Sequence, residues 1–124
     1  MVARQQWLSR DWAQDPMTTR ISWPLPRTAA IRVRGEVDLC TAPGLEQELC
    51  RLIRGPAEAV VVDLSQVSFL AVAGIDCLLR AQGIADKLGV RFSIDRGDSR
   101  VVNRVFSLLR DTLPPGFSRP VPRG

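Results

Sequence analysis

Hydrophobic and polar positions alternate most clearly near the start of the chain. Residues 31–35, IRVRG, alternate apolar and arginine side chains, as in a strand that is wet on one face. Residues 17–26, MTTRISWPLP, mix β-branched residues with Trp23 and end in a proline-rich break, which favours an edge strand. We expect these two segments to pair as a hairpin.

Two further segments also have the composition of strands. Residues 59–64, AVVVDL, form a continuous apolar run, which is typical of a strand covered on both faces. We therefore predict that this is the central strand. Residues 90–94, VRFSI, alternate again and predict one more strand.

The first segment with helical spacing covers about residues 43–54. Thr41 can cap it, and Pro43 is tolerated in its first turn. Gly55 and the proline after it predict its end, as a left-handed cap and a helix breaker.

Two more helices are predicted, over about residues 74–88 and 100–110. Gly89 closes the former, and the pair Asp98 and Ser99 can cap the latter. The apolar faces expected for the three helices are, in chain order, Leu45, Leu49, Leu52 and Ile53; Ile75, Leu78, Leu79, Ala85 and Leu88; and Val101, Val102, Val105, Phe106 and Leu109.

Alternation of strands and helices predicts an α/β fold with crossover connections and a partly parallel sheet. We expect four or five strands, with the helices mainly on one face. Residues 17–112 form the predicted domain, after a weakly ordered extension of residues 1–16 and before an irregular proline-rich tail at 113–124. Trp7 and Trp12 in the extension have an open role, as cover for a groove or as contacts with a partner.

The charge balance adds little to this picture. The chain has 17 basic and 13 acidic residues, a formal net charge of +4, and its arginines are scattered from Arg4 to Arg123. Nucleic-acid binding requires clustered positive charge, so we do not expect it. The neighbours Arg100 and Arg104 are better interpreted as a solvated helix face than as a phosphate-binding patch.

Few residues suit catalysis or metal binding. The chain has no histidine and no tyrosine, which removes the commonest general base. Cys40, Cys50 and Cys77 are too far apart for a metal site, and only Cys40 is expected to be exposed. A lone Asp63 is better explained by bonds to the turn at 65–66 than by catalysis. We predict no enzymatic activity, no catalytic residue, no cofactor and no metal.

The cellular location of the protein is predicted from two features of the sequence, a signal peptide and a membrane-spanning segment, neither of which we find. Residues 1–10, MVARQQWLSR, lack the apolar core of a signal peptide, and no segment approaches the roughly 20 apolar residues that span a bilayer. We expect a cytoplasmic protein with no membrane insertion.

Three stretches in this order resemble the STAS family: GEVDLCTAPGLEQEL at 35–49, VVVDLSQVSFL at 60–70 and AVAGIDCLLRA at 71–81. The resemblance covers about residues 18–112 and is closest to bacterial anti-sigma factor antagonists. It implies a STAS-like fold and binding to an anti-sigma factor of the serine kinase type, which releases a sigma factor. Family members usually end in a further strand and helix; the short proline-rich tail predicts that this C-terminal helix is missing here.

The resemblance also locates the phosphorylation switch of the family. A typical member reads Asp-Ser-Ser-Gly after Phe-Leu, and the first serine takes the phosphate. This chain reads Ala71-Val72-Ala73-Gly74, and Val72 has no oxygen to phosphorylate. Two interpretations stay open: a permanently unphosphorylated antagonist, or a loop that packs against a neighbour or the core after the switch role has been lost. Whether Thr41, Ser65 or Ser68 has taken over as the acceptor stays open.

The partner surface that the resemblance implies centres on the 71–74 loop and on Asp38, an acidic position near that loop, with Glu36 as a weaker candidate. Asp38 has an alternative role as a carboxylate that binds turn amides. An accessory or scaffold subunit without switching is the alternative function, and homodimerisation is a further prediction. The expected partner-binding residues are Glu36, Asp38, Thr41, Ala71, Val72, Ala73, Gly74 and Asp76.

Overall fold

The structure is a computed structural model that describes residues 16–114 and Phe117 of the chain. Its described strands form one sheet. Its strands are β1 (Thr18–Leu25), β2 (Thr28–Val37), β3 (Ala59–Leu70) and β4 (Arg91–Asp95). The helices are α1 (Ala42–Ile53), α2 (Val72–Leu88) and α3 (Arg100–Leu109).

The described strands lie in the order β1-β2-β3-β4. β1 and β2 form the predicted antiparallel hairpin, with β1 at the edge, while β3 runs parallel to both β2 and β4. Parallel neighbours require a crossover, and α1 and α2 supply the two crossovers. The predicted α/β fold with a partly parallel sheet of four or five strands is confirmed, with four strands in the described residues.

The core lies between one face of this sheet and the helices. In β2, Ile31 and Val33 have no exposed surface, whereas Arg32 and Arg34 between them are exposed, because successive side chains point to opposite faces. Full burial of one such aliphatic side chain contributes roughly 1.5–3 kcal/mol. The largest fully buried side chains are Phe106, Ile31, Leu45, Leu49, Ile53, Leu64, Leu78, Ile94, Val33, Val37, Val60 and Val62.

Strand β3 differs from the prediction in two respects. Among the described residues it is covered on one face only: Val60 and Val62 are fully buried, while Val61 is partly exposed. It also continues to Leu70 rather than ending at residue 64. The polar segment that follows Leu64 stays in the sheet through irregularities in its pairing with β2, a device that keeps the strand paired although the apolar alternation is broken.

Two of the predicted helix ends are wrong in detail. Thr41 occupies the position before α1, but its side chain makes no capping bond to that helix. The backbone of Arg54 at the end of α1 is right-handed, and Gly55 does not adopt the left-handed conformation that we expected. The expected left-handed cap does occur at Gly89, with φ of 72°. Ser99 caps α3, as its Oγ accepts from the Val102 amide at 3.2 Å.

The predicted apolar faces hold except at two positions near helix ends. Leu88, the last residue of α2, is 50% exposed, and Val101 in the first turn of α3 is also exposed. The core face of α3 is centred on Val102 and Phe106, four residues apart, so Val101 lies about 100° round the helix from Val102.

Past α3, Phe117 is buried and stacks on Phe106, with ring centroids 5.9 Å apart. Most of the predicted tail, and the predicted N-terminal extension with Trp7 and Trp12, lie outside the described residues.

Candidate partner-binding site

The predicted partner residues come together because β2 and β3 are parallel neighbours. Val37 at the end of β2 pairs with Leu70 at the end of β3, so the segments that follow both strands lie at the same edge of the sheet. The amide of Ala71 also donates to the carbonyl of Val37 at 2.9 Å. We call residues 36–41 and 69–76 the carboxyl-edge surface.

The first loop of this surface is held by polar bonds around Asp38. Its Oδ1 accepts from the amides of Cys40 at 2.9 Å and Thr41 at 3.0 Å. The Thr41 hydroxyl accepts from the Asp38 amide at 2.9 Å, and the Glu36 carbonyl, 3.0 Å away, can receive its proton. The turn-stabilising role considered for Asp38 is thus present, and these bonds fix the loop that exposes Leu39.

The second loop, at the start of α2, contains no polar side chain. Ala71 is the N-cap residue, with extended backbone and no side-chain bond to the helix. Its carbonyl accepts from the amides of Gly74 at 2.9 Å and Ile75 at 3.3 Å. Val72 opens the helix and is 66% exposed, and Ala73 is half-buried. The loop therefore presents methyl groups at a helix N-terminus, where backbone amides create a positive partial charge.

Gly74 fixes this loop against the sheet by close packing. A Cβ at this position would lie 2.7 Å from Leu70 Cδ1 and 2.8 Å from Val37 Cγ1, closer than carbon atoms approach in a relaxed core. Only glycine allows α2 to begin so near the ends of β2 and β3. Because Gly74 is itself buried, it supports the surface by position.

Three large apolar side chains are exposed on the carboxyl-edge surface, one from its first segment and two from its second. Leu39 is 78% exposed, Phe69 48% and Val72 66%. We call these three residues the apolar patch. Sequence reasoning singled out Val72 but missed the patch, since the exposure of Leu39 and Phe69 depends on the turn and on the β3 pairing irregularity. Exposed apolar groups of this kind mark interaction sites.

Acidic groups lie around the patch. Glu36 and Asp38 are half-buried in the first loop, and Asp76 is exposed on α2. One turn further, the Arg80 guanidinium binds Glu46 of α1 at 2.7 Å, and this hydrogen bond raises the pKa of Arg80. The ion pair links the two helices that border the surface.

Asp63 lies away from this site, in the middle of β3. Its Oδ1 accepts from the Ser65 amide at 2.9 Å, and its Oδ2 lies 3.1 Å from Arg32 Nε. Burial alone would raise the pKa of Asp63, but hydrogen bonds from Ser65 and Arg32 outweigh it and hold the pKa below its usual value. The predicted bond to Ser65 is present, and a structural role accounts for this carboxylate.

The cysteines have the surroundings that the sequence predicted. Cys77 is buried, and this burial raises its pKa to about 12, so it stays a thiol at neutral pH. Cys50 is half-buried, and Cys40 is exposed in the first loop. Within residues 16–114 and Phe117, no three carboxylate or cysteine side chains are grouped as metal ligands. None of the helices in that same part of the chain is long and apolar enough to cross a membrane.

The four-stranded sheet, the two crossover helices and the loops at one sheet edge define a STAS domain. A family model described as "Mlab, STAS domain" matches residues 25–110, and the chain belongs to this family.

Among individual proteins, the anti-sigma-F factor antagonist RsfB of Mycobacterium tuberculosis is 34% identical over 95 residues, which cover 68% of this chain and 78% of that protein. The crystal structure of an anti-sigma factor antagonist from Mycobacterium paratuberculosis matches with a TM-score of 0.70 and 30% identity, over 82% of this chain and 86% of that one. The Bacillus cell fate determinant SpoIIAA in its phosphorylated form shares the fold, with a TM-score of 0.60 and 17% identity over 73% and 82% of the two chains.

Proposed function

We propose that this STAS domain is an anti-sigma factor antagonist that regulates transcription by binding an anti-sigma factor of the serine kinase type. The relative that is 34% identical bears this function in its name, and the fold and both loops of the carboxyl-edge surface are present here. The observation that carries the proposal is the exposure of the three apolar side chains of the patch, Leu39, Phe69 and Val72, on the segments that form this surface.

The exposure of Val72 bears on the two interpretations of its substitution. A loop that had lost its surface role would be expected to bury its new apolar side chain, but 66% of Val72 is exposed. This favours a binding surface over internal packing. A phosphate would add about −1.5 to −2 charge; Val72 cannot accept one, so binding at this position is constant and regulation depends on the amounts of the two partners.

Binding is tested with two matched variants of one helix. Val72→Asp places a charge in the apolar patch, whereas Leu88→Asp places the same charge at the far end of α2, where Leu88 is also exposed. We expect Val72→Asp to weaken binding to an anti-sigma kinase of the same genome at least tenfold in titration calorimetry, and Leu88→Asp to change it less than twofold. Equal losses, or wild-type protein that binds none of these kinases, would refute the proposal.

Phosphorylation is tested with the same kinase and labelled ATP. We expect no label on the wild-type protein, because Thr41 is held by Asp38 and Glu36, and Ser65 is half-buried in β3. Label on Thr41, Ser65 or Ser68, located by mass spectrometry, would replace the constant antagonist with a relocated switch.

The proposal includes a cytoplasmic, non-enzymatic protein whose domain covers residues 17–112. The half-buried Glu36, Asp38 and Thr41 and the exposed Asp76 supply the polar groups of this surface, with Ala71, Ala73 and Gly74 shaping the loop.

The second candidate function is a scaffold subunit without switching. The edge strand β1 favours it, because an exposed strand edge is a surface for assembly. Ile21, Trp23 and Leu25 are exposed large apolar side chains on a strand that pairs on one side only within the described sheet. Such an edge can take a second copy of the chain. Light scattering at high protein concentration measures this: we expect a dimer mass that Trp23→Ser reduces to a monomer mass, and a monomeric wild type would exclude the homodimer.

A further inference from the structure

Three arginines lie on the face of the sheet that the helices leave open. Arg32 and Arg34 occupy the positions of β2 that alternate with buried Ile31 and Val33, so they point away from the core. Arg20 of β1 is the direct partner of Arg32 in the antiparallel pairing. The sheet register thus gathers residues that are far apart in the sequence.

These side chains border a hollow of about 210 Å³. Arg34 is flanked by Thr18 of β1 and Gln66 of β3, its partners on the two neighbouring strands. The hollow therefore combines guanidinium groups with neutral donors and acceptors. Its lining residues are Thr18, Thr19, Arg20, Arg32, Arg34 and Gln66.

The positive charge of this hollow is only partly neutralised. Arg32 forms an ion pair with Asp63 at 3.1 Å. Within residues 16–114, no carboxylate lies within 4.0 Å of the guanidinium of Arg20 or Arg34. Like charges directly opposite each other on paired strands are unfavourable for folding. The ion pair with Asp63 offsets this repulsion at Arg32, whereas Arg20 has no carboxylate partner among the described residues.

We propose that this arginine hollow docks an acidic segment of a partner protein, with carboxylates of the segment bound by Arg20 and Arg34. Guanidinium groups bind carboxylates through paired hydrogen bonds, which gives the contact both strength and direction. Thr18 and Gln66 add neutral hydrogen bonds at the rim. The hollow is distinct from the carboxyl-edge surface, and it does not depend on binding there.

A protein partner suits the hollow better than nucleic acid. Nucleic-acid binding faces carry positive charge along a track that follows successive phosphates. Of the other exposed arginines, Arg51 and Arg104 lie on helices, and Arg27 is paired with Glu58. Arg91 lies on β4, where β3 and its Asp63 separate it from the cluster, so no continuous positive track crosses the open sheet face within the described residues. A small group of two guanidiniums that have no carboxylate partner within residues 16–114 matches a short acidic segment.

The test compares two double variants of the full chain that change the charge equally. Arg20→Glu/Arg34→Glu reverses the hollow, and Arg100→Glu/Arg104→Glu reverses exposed arginines of α3. The probe is a fluorescein-labelled decapeptide of alternating glutamate and serine, with binding followed by fluorescence anisotropy at low salt. We expect the hollow variant to weaken binding at least tenfold and the α3 variant less than twofold. We also expect wild-type amide shifts in NMR confined to residues 18–20, 32–34 and 66.

Several results would overturn the proposal: no binding by wild-type protein, equal losses in both variants, or shifts outside the hollow. Tighter binding of a single-stranded DNA of equal charge, lost in the hollow variant, would assign the site to nucleic acid instead. If the reversed variant fails to fold by circular dichroism, Arg20→Gln/Arg34→Gln replaces it, with the same tenfold loss expected. Val72→Asp should leave peptide binding unchanged, which separates this result from that for the anti-sigma factor.

Discussion

The two loops of the carboxyl-edge surface are held in place by different forces. The first, around Asp38, is fixed by hydrogen bonds that two backbone amides donate to one carboxylate. The second, around Val72, has no side-chain bond and is fixed by the close approach of Gly74 to Val37 and Leu70. The comparison teaches that a loop can lose its polar residues and keep its position, since packing alone places the start of α2.

Gly74→Ala is expected to have the largest effect, because it disrupts the close packing that holds the second loop. Its added methyl group meets Leu70 and Val37, and such overpacking costs about 1–3 kcal/mol of unfolding free energy. Gly83→Ala, in the same helix, is the matched control. Apart from the backbone of α2 itself, no atom lies within 4 Å of the Cβ that this substitution would add. We expect it to gain up to about 1 kcal/mol from helix propensity. Urea unfolding measures both, and equal signs would show that packing at Gly74 does not fix the loop.

Removal of the Asp38 carboxylate tests the polar loop. Asp38→Ala leaves the amides of Cys40 and Thr41 without their acceptor, which we expect to cost about 1–2 kcal/mol. Asp38→Asn keeps a side-chain oxygen and should recover about half of this loss. Thermal unfolding in parallel with urea unfolding provides the measurement; an Asp38→Ala protein as stable as wild type would mean that the loop is held by other contacts.

The smallest effect is expected when the second loop is given a side-chain hydrogen bond like those of the first loop. Ala71→Asp adds a side-chain acceptor at an N-cap whose backbone is already extended, with ψ of 167°. Replacement of alanine by a capping residue stabilises a helix by about 1 kcal/mol. We expect that gain in urea, and none for Ala73→Asp, which lies inside the helix. A loss of stability for Ala71→Asp would show that the half-buried site cannot accommodate the carboxylate.

Alternation made the hairpin and the helix-facing side of β2 predictable, since Ile31 and Val33 obey a period of two that any one-sided sheet requires. The bond between Asp63 and Ser65 was predictable for a similar reason, because it is local in the chain.

The features that the sequence did not predict share one physical cause, because each depends on contacts between segments that are distant in the chain. The continuation of β3 to Leu70 depends on its pairing with β2, which local composition does not reveal. The exposure of Leu39 and Phe69 and the meeting of Arg20 with Arg32 depend likewise on turn geometry and register. The resemblance to the family located Val72 in the sequence. That Val72 is exposed could not be predicted in the same way, because it depends on the packing of Gly74 against Val37 and Leu70.

The burial of Phe117 makes the stability of the core, and with it resistance to proteolysis, depend on a residue that follows α3. The ring stacks on Phe106, whose other contacts include the Arg96 guanidinium at 5.4 Å from the ring centre. A protease that trimmed the chain just after α3 would spare every helix and strand of the described residues, yet it would open a void the size of a phenyl group, a loss of about 3–5 kcal/mol in typical cores. Degradation of this regulator can therefore begin with a single cut that leaves its partner surface intact.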